Sequence, residues 1–226
     1  MPPEHQTPSD PHCIERSQHL DQQMRLLWLP GRRMRLAAES YDLGNECRNN
    51  GHPALAEGNF RRVQDLFQNV RLTKSKNRQK IFSLVAASHN YLGLLCLDAN
   101  RPAEARLSFD RAIEIRRELL LLSPQDRENQ IYLGGTLCNR GHSLADSDKA
   151  SALASYNESL AVLRQSEKTC ECAYWDEQRN SWWCSQLEAM GNALGLQWVF
   201  LAPQFIDNAM RGRDSLEGTA AQQPSS

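Results

Sequence analysis

Several features that would assign a function directly are missing from this sequence. It contains neither of the glycine-rich phosphate motifs, G-x-x-x-x-G-K-[ST] and G-x-G-x-x-G, and none of the protein-kinase motifs such as H-R-D and D-F-G. The metalloprotease motif H-E-x-x-H and the hydrolase motif G-x-S-x-G are also absent. These absences exclude the enzyme classes that the motifs mark. We therefore expect a protein that is not an enzyme, with no catalytic residues, no metal and no cofactor.

The net charge is small, and the sequence shows no targeting signal. The formal net charge is −1, so the chain as a whole has no electrostatic attraction to nucleic acid or to an anionic membrane. The first residues lack the basic-then-apolar order of a signal peptide, and the seven cysteines are an odd number. We expect free thiols and a cytoplasmic location. The apolar stretch around residues 194–202 is too short to span a bilayer, so no membrane helix is expected.

Prolines and strand-like alternation are rare in the body of the chain. Only five of the ten prolines lie between residues 12 and 223, and the segments between them are rich in helix-forming Ala, Leu, Glu, Arg and Gln. No segment alternates apolar and polar residues in the manner of a strand. The sequence predicts an all-α protein. Its ends, residues 1–15 and 211–226, have too few apolar residues to offset the entropy of ordering and are predicted to be disordered.

The most informative feature present is an internal repeat. Three segments align on Gly44, Gly93 and Gly141, at spacings of 49 and 48 residues. Each glycine is followed by a small residue, an aromatic residue four positions on, and a small or medium residue three positions further. These triplets are Ala56, Phe60 and Val63; Ala105, Phe109 and Ala112; and Ala152, Tyr156 and Ser159.

This repeat predicts a helical hairpin used three times. A glycine within a helix costs about 1 kcal/mol relative to alanine, so its recurrence indicates close approach of the second helix. Pro53 and Pro102 each fall nine residues after their glycine, where proline suits the first turn of a helix. The third unit instead has Asp146 to Asp148, which are suitable N-cap residues.

The motifs Leu43-Gly44 with Ala56 and Phe60, and Leu92-Gly93 with Ala105 and Phe109, resemble the tetratricopeptide repeat. The long spacing is similar to the elongated repeats of kinesin light chains and of the repeat tails of bacterial serine/threonine kinases. The resemblance implies a right-handed solenoid of about three elongated hairpins. It also implies a concave groove that binds an extended peptide or a helix of a partner protein, with a signalling kinase system as one alternative for the partner.

The predicted organisation follows from the repeat boundaries. A leading helix or linker covers residues 16–31, and three hairpins cover about 32–78, 79–126 and 127–168. A capping helix region covers 169–210, because Pro203 is expected to stop a fourth hairpin. Within this region, residues 178–201 are predicted to shield the end of the solenoid with their apolar side chains, namely Trp182, Trp183, Leu187, Leu194 and Trp198.

The resemblance also locates a candidate groove on the first helix of each hairpin. Asparagine is frequent at these positions, which suits hydrogen bonding to a peptide backbone. The predicted groove residues are Tyr41, Asn45, Asn49, Asn90, Leu94, Asp98, His142, Glu188 and Asn192. Tyr41 and Leu94 occupy positions where a chaperone-binding carboxylate clamp needs Lys and Asn, so binding of chaperone tails is not predicted.

Two other features leave alternatives open. Cys170, Cys172 and Cys184 form a cysteine cluster that would support a metal- or thiol-dependent protein, although a fourth zinc ligand is not identifiable. The basic connector Arg71 to Lys80 is either a solvated surface or a contact for an acidic or phosphorylated partner. Cys47 and Cys96 occupy equivalent repeat positions and are predicted to be small buried hydrophobic residues.

Overall fold

A computed structural model describes residues 11–24, 32–71, 75–168 and 201–221, and all regular secondary structure in these ranges is helical. The chain divides into two compact units, Met1–Arg101 and Pro102–Ser226. The first unit contains α1 (Pro11–Met24), α2 (Arg32–Asn49), α3 (Pro53–Phe67) and α4 (Lys76–Asp98); the second contains α5 (Pro102–Leu122), α6 (Arg127–Leu144), α7 (Lys149–Lys168) and α8 (Leu201–Ala221). The predicted all-α fold is confirmed.

Helix starts are encoded locally, as the sequence predicted. Helices α3 and α5 begin at Pro53 and Pro102, where the missing backbone N–H leaves no hydrogen bond unmade. Helix α7 follows Asp148, whose Oδ1 accepts a hydrogen bond of 3.0 Å from the Ser151 backbone N–H. Hydrogen bonds from the Ser151 side chain and from this backbone N–H lower the pKa of the Asp148 carboxyl. The second helices of the first two hairpins thus begin at a proline, and the second helix of the third hairpin begins after an acidic capping residue.

The turns that end α2 and α4 are two copies of one structure. Gly51 and Asn100 lie 49 residues apart, and both have positive φ, 77° and 56°. The following N–H of His52 donates to the Cys47 carbonyl at 2.8 Å, and the N–H of Arg101 donates to the Cys96 carbonyl at 2.7 Å. A residue in the left-handed conformation just beyond the helix end turns the chain so that the next backbone N–H can hydrogen-bond to one of the last helix carbonyls. The repeat period therefore appears in the backbone as well as in the sequence.

The repeat positions form the core. All nine residues of the predicted triplets after the glycines are buried, with at most 1% of each residue exposed. Cys47 and Cys96 are also buried, as predicted. In the first unit α2 packs against α3, which packs against α4; in the second unit α6 packs against both α5 and α7. The all-helical repeat character of the chain follows from these packed positions.

Two of the repeated glycines make the close contact that their recurrence predicts. A Cβ on Gly44 would lie 2.8 Å from Cε1 of Phe60, and a Cβ on Gly141 would lie 2.5 Å from Cε1 of Tyr156. Both distances are too short for a side chain at the glycine position unless the ring moves. The aromatic ring of the second helix therefore lies directly on the glycine of the first.

Helix α1 covers part of the first hairpin. Its buried residues are Cys13, Ser17 and Leu20, and it packs mainly against α2. A polar network also joins it to α3, where the Arg62 guanidinium contacts the Asp21 carboxylate and donates to the Asn59 side chain. The structure thus makes residues 11–15 helical, whereas the sequence placed them in a disordered end. Burial of Cys13 explains the difference, because a single apolar contact anchors this turn.

Helix α8 packs against α6 and α7. A Cβ on Gly212 would lie 2.5 Å from Cζ of Tyr156, and Ala209 is fully buried beside this contact. Pro203 lies in the first turn of α8, where it does not stop a helix, and residues 211–221 are helical although a disordered tail was predicted. Among the residues that the structure describes, α8 is the helix that covers the third hairpin. The cap predicted at residues 178–201 lies outside those residues, apart from Leu201.

One described helix, α4, is long and apolar enough to cross a membrane by length and composition alone. The expectation that the chain has no membrane helix stays a prediction. A buried helix of a soluble core passes the same test. Here the buried residues of α4 include Phe82, Val85 and Leu92, and the helix packs against α2 and α3.

Candidate functional site

An aromatic cluster joins α2, α3 and α4 in the first unit. Phe60 and Tyr91 stack with ring centroids 5.3 Å apart, and Tyr41 meets each of them edge-on at 5.9 Å. Phe60 is fully buried beneath Gly44, whereas Tyr41 and Tyr91 are half-buried. Each such pair contributes about 0.5 to 1.5 kcal/mol beyond burial. The cluster therefore fixes the position of α2 relative to α4 at the predicted groove residue Tyr41.

Arg48 extends this cluster toward solvent. Its guanidinium carbon lies 5.5 Å from the centroid of the Tyr91 ring, in a cation–π contact. Among the described residues it has no carboxylate partner, and its buried Nε has no hydrogen-bond partner. Arg48 is half-buried, so this positive charge is partly desolvated and uncompensated. A carboxylate placed beside it would gain a strong, charge-assisted hydrogen bond.

Asn45 lies one helical turn before Arg48 on α2 and is also half-buried. Its side chain has no hydrogen-bond partner within the described part of the chain. Both groups are therefore available to a ligand. We call Tyr41, Asn45, Arg48 and Tyr91 the Arg48 surface.

The other predicted groove residues have mixed surroundings. Asn49 and Asp98 are exposed at the last positions of α2 and α4, while Asn90 and Leu94 are half-buried on α4 beside Tyr91. Asn90 already has an interaction within the protein. His142 belongs to the second unit, and Glu188 and Asn192 lie outside the described residues. Of these residues, Tyr41 on α2 is brought into contact with α4, through the Tyr91 ring.

Sequence reasoning missed Arg48 and Tyr91. Arg48 lies seven residues after Tyr41, two turns along the same helix face, so the spacing alone was enough to include it. Tyr91 precedes Leu92 and Gly93, and its role was hidden because the repeat motif fixes the leucine and glycine but not the residue before them. An arginine near a tyrosine carries no sequence signature, since their pairing depends on the packing of α2 against α4.

His142 is the residue of the third hairpin that corresponds to Asn45, because each directly follows the repeated glycine. Its Nδ1 lies 2.8 Å from the Tyr156 hydroxyl, and its Nε2 lies 3.5 Å from the Cys138 sulfur. Although the residue keeps contact with solvent, the protein around the ring lowers the pKa of His142 below its usual value. This side chain is already engaged by its own hairpin, unlike Asn45.

The proximity of Cys138 and His142 does not provide an activated nucleophile. Burial raises the pKa of the Cys138 thiol to about 12, and burial also raises the pKa of the Tyr156 hydroxyl to about 12. Thiol nucleophiles act as thiolates, which are stabilised by positive surroundings that lower the pKa. These shifts have the opposite direction, so the cluster is suited to packing.

An open groove lies in the second unit, among α5, α6 and α7, with a volume of about 700 Å³. Exposed Leu107 and Leu121 line it, but its arginines are compensated by carboxylates of the same unit. Those ion pairs are Arg111 with Glu114, Arg117 with Glu158, and Arg140 with Asp110. This groove therefore presents no uncompensated cation comparable to Arg48.

The remaining sequence candidates are only partly described. Across residues 11–24, 32–71, 75–168 and 201–221, no group of three His, Cys, Asp or Glu side chains is arranged to hold a metal ion. Cys170, Cys172 and Cys184 lie outside these ranges. In the basic connector, Arg78 Nη1 donates to the Arg71 carbonyl at 3.1 Å, and Lys76, Arg78 and Lys80 are exposed.

Comparison with known proteins gives structural neighbours of low similarity. No protein-family model and no curated protein matches the chain. One neighbour is the crystal structure of BtubC (BKLC) from P. vanneervenii, with 17% identity, coverage of 95% of this chain and 93% of that chain, and a TM-score of 0.35. Another is the de novo designed helical repeat protein DHR64, with 9% identity, coverage of 93% and 96%, and a TM-score of 0.34.

Proposed function

We propose that this chain is a non-enzymatic scaffold or adaptor of the tetratricopeptide kind, which binds a peptide or helix of a partner protein. The Arg48 surface is the contact site. The observation that carries the proposal is the half-buried Arg48 guanidinium, which has no carboxylate partner within the described residues. The buried Nε–H of this guanidinium is a donor left without an acceptor, which costs about 1 to 3 kcal/mol. A partner that supplies an Asp or Glu side chain to Arg48 removes that cost.

The surrounding residues support the same proposal. Tyr41 and Tyr91 offer half-buried aromatic surface, and the Asn45 amide can both donate to and accept from a peptide backbone. Aromatic residues and arginine are the types enriched where binding energy concentrates at protein interfaces. We place this function in the cytoplasm, without a metal, cofactor, nucleic acid or membrane. The rival hypothesis of a metal- or thiol-dependent protein concerns Cys170, Cys172 and Cys184, and nothing in the described residues favours it.

A displayed library of random 12-residue peptides, selected on the full chain, tests the proposal without a known partner. Selected peptides are expected to be enriched in Asp and Glu. Arg48→Gln is then expected to weaken their binding, measured by isothermal titration calorimetry, by about tenfold to a hundredfold, because a charged hydrogen bond contributes about 1.5 to 3 kcal/mol. Asn45→Ala is expected to weaken it by about tenfold or less.

Arg61→Gln is the matched control, because Arg61 is an exposed arginine of the same unit that pairs with Glu57 on α3. It is expected to leave peptide binding unchanged. Thermal unfolding of Arg48→Gln is expected to stay close to that of the wild type, since Arg48 loses only its cation–π contact with Tyr91, which contributes about 0.5 to 1 kcal/mol. Selected peptides that bind Arg48→Gln as tightly as wild type would refute the Arg48 surface as the contact site.

A further inference from the structure

Two buried thiols meet where α1 lies against α2. Cys13 on α1 and Cys47 on α2 each have 0% of their surface exposed. The two thiols interact with one another although the residues are 34 positions apart in the chain. The ion pair of Arg16 with Glu46, the residue before Cys47, holds the same part of α1 against α2. Neither thiol is engaged in a disulfide. This pair is distinct from the Arg48 surface, and nothing in the proposed binding function uses it.

Helix α1 is the weakly held partner in this contact. Its buried residues are only Cys13, Ser17 and Leu20, and its ion pair of Arg16 with Glu46 is exposed, so that the pair of Asp21 with the buried Arg62 is its one ion pair among the described residues that involves a buried side chain. Exposed ion pairs contribute about 0 to 1 kcal/mol, and an isolated helix of this length is marginally stable. Local opening of α1 therefore requires less free energy than opening of the hairpins, and it exposes both thiols to solvent.

We propose that Cys13 and Cys47 form a reversible disulfide that fixes α1 against α2. The oxidant is a low-molecular-weight disulfide such as oxidised glutathione. The Cys13 thiolate attacks its S–S bond, which breaks and releases one glutathione thiolate that takes up a proton. In the opened form the Cys47 thiolate then attacks the Cys13 sulfur and releases the second glutathione thiolate, which also takes up a proton, and α1 docks again with the disulfide formed. The two protein thiols thus lose two electrons and two protons, and two molecules of reduced glutathione form.

Burial controls when this chemistry occurs. Burial, together with the neighbouring Cys13, raises the pKa of the Cys47 thiol to about 12, so docked Cys47 is almost entirely in the thiol form. The reaction therefore proceeds from the opened form, and its rate follows the population of that form. Once the disulfide has formed, α1 can no longer separate from α2.

The test uses the full chain under native conditions with oxidised glutathione, followed by trypsin digestion without reduction. The expected product is one disulfide-linked pair of peptides, residues 1–16 and 36–48, which contain Cys13 and Cys47. Reduction with dithiothreitol is expected to separate them. A low concentration of urea, well below the unfolding midpoint, is expected to accelerate the linkage several-fold because it favours the opened form.

Cys138→Ser is the control variant, because Cys138 is another buried thiol but lies beside an imidazole in the second unit. It is expected to form the same linked peptides at the wild-type rate, whereas Cys13→Ser is expected to form none. The peptide map of the wild-type chain is enough to test the proposal, even if a cysteine variant folds poorly. The proposal is overturned if the two peptides carry separate glutathione adducts, remain reduced, or become linked only after the chain is unfolded.

Discussion

The first hairpin, α2 and α3, and the third hairpin, α6 and α7, make the same glycine–ring contact in different chemical surroundings. In the first hairpin the ring is Phe60, and the neighbouring repeat positions Leu43 and Val63 are fully buried apolar residues. In the third hairpin the ring is Tyr156, and the corresponding positions are Arg140 and Ser159. The backbone arrangement therefore does not depend on an apolar lining.

Hydrogen bonds replace the missing apolar contacts in the third hairpin. Ser159 Oγ donates to the Gly134 carbonyl at 2.7 Å, and Arg140 Nη1 donates to Ser155 Oγ at 2.6 Å. The Tyr156 hydroxyl pairs with His142 Nδ1. Buried polar groups are tolerated when they find partners of this kind. A degenerate repeat can thus retain its fold, provided that each polar substitution is matched by a second one.

The two hairpins also differ in what they leave for a partner. Asn45 and His142 occupy the same repeat position, but His142 is bound to Tyr156 while Asn45 has no hydrogen-bond partner among the described residues. Arg48 adds an unpaired charge beside Asn45, whereas the arginines lining the open groove of the second unit are ion-paired. This difference is why we place binding in the first unit.

Removal of the rings is expected to have the largest effect on this comparison. Phe60→Ala and Tyr156→Ala should each lower the free energy of unfolding by about 3 to 5 kcal/mol, because both rings are buried and leave a cavity. Urea unfolding followed by far-ultraviolet circular dichroism measures this. Leu107→Ala, at an exposed position, is the control and should change stability by about 0.5 kcal/mol or less. Ring deletions no worse than this control would contradict the packing.

Filling the glycine positions should have the next largest effect. Gly44→Leu and Gly141→Leu should each cost about 1 to 3 kcal/mol, because the added side chain overlaps the ring above it. Gly58 is the matched control, since it is a helical glycine with nothing within 4 Å of an added Cβ. Gly58→Leu should be neutral or stabilise the helix by up to about 1 kcal/mol. The same urea titrations distinguish these outcomes, and equal effects at all three glycines would break the comparison.

Exchanging the ring types tests the chemical difference between the hairpins. Tyr156→Phe should cost about 0.5 to 1.5 kcal/mol, because it removes the hydroxyl that pairs with His142. Phe60→Tyr should cost about 1 to 3 kcal/mol, since it adds a buried hydroxyl to an apolar site. Thermal unfolding of the two variants, compared with the wild type, measures both stability changes. If the two hairpins accept either ring equally, the polar network in the third hairpin has no structural role.

The smallest expected effect is a pH dependence confined to the third hairpin. Because the folded-state pKa of His142 lies below its usual value of 6.5, the unfolded chain binds more protons as the pH falls. Its contribution to stability is therefore present above about pH 6.5 and is lost as the pH falls through the lower, folded-state pKa. Cys138 and Tyr156, which face the ring, have pKa values of about 12 and stay protonated throughout.

His142→Gln should remove this part of the pH dependence, whereas Asn45→Ala, at the corresponding position of the first hairpin, should retain it. Urea midpoints at pH 7.5 and pH 5.5 provide the comparison. If the urea midpoint of the wild type falls between pH 7.5 and pH 5.5, and that of His142→Gln falls by the same amount, a group other than His142 causes the pH dependence.

The repeated core was predictable because its signal is local. A glycine, an alanine and an aromatic residue recurring at a fixed period identified the buried positions, and proline and aspartate identified helix starts. The ends were not predictable in this way, since the helicity of α1 and α8 depends on packing. Cys13 lies against Cys47, and Gly212 lies against Tyr156, and no local sequence pattern predicts these contacts. The contact of Arg48 with Tyr91 was missed for the same reason, because Tyr91 is on another helix, although the spacing from Tyr41 was enough to include Arg48 itself.

A double-mutant cycle between Gly44 and Phe60 tests the glycine–ring contact most directly. Gly44→Ala should destabilise the wild type because its Cβ meets the Phe60 ring, yet it should be neutral or stabilising in a Phe60→Ala background, where that ring is absent. The expected coupling energy is about 0.5 to 3 kcal/mol. Gly58→Ala should show no coupling to Phe60→Ala. If Gly44→Ala has the same effect with and without the ring, the glycine does not serve the contact on which this account of the fold depends.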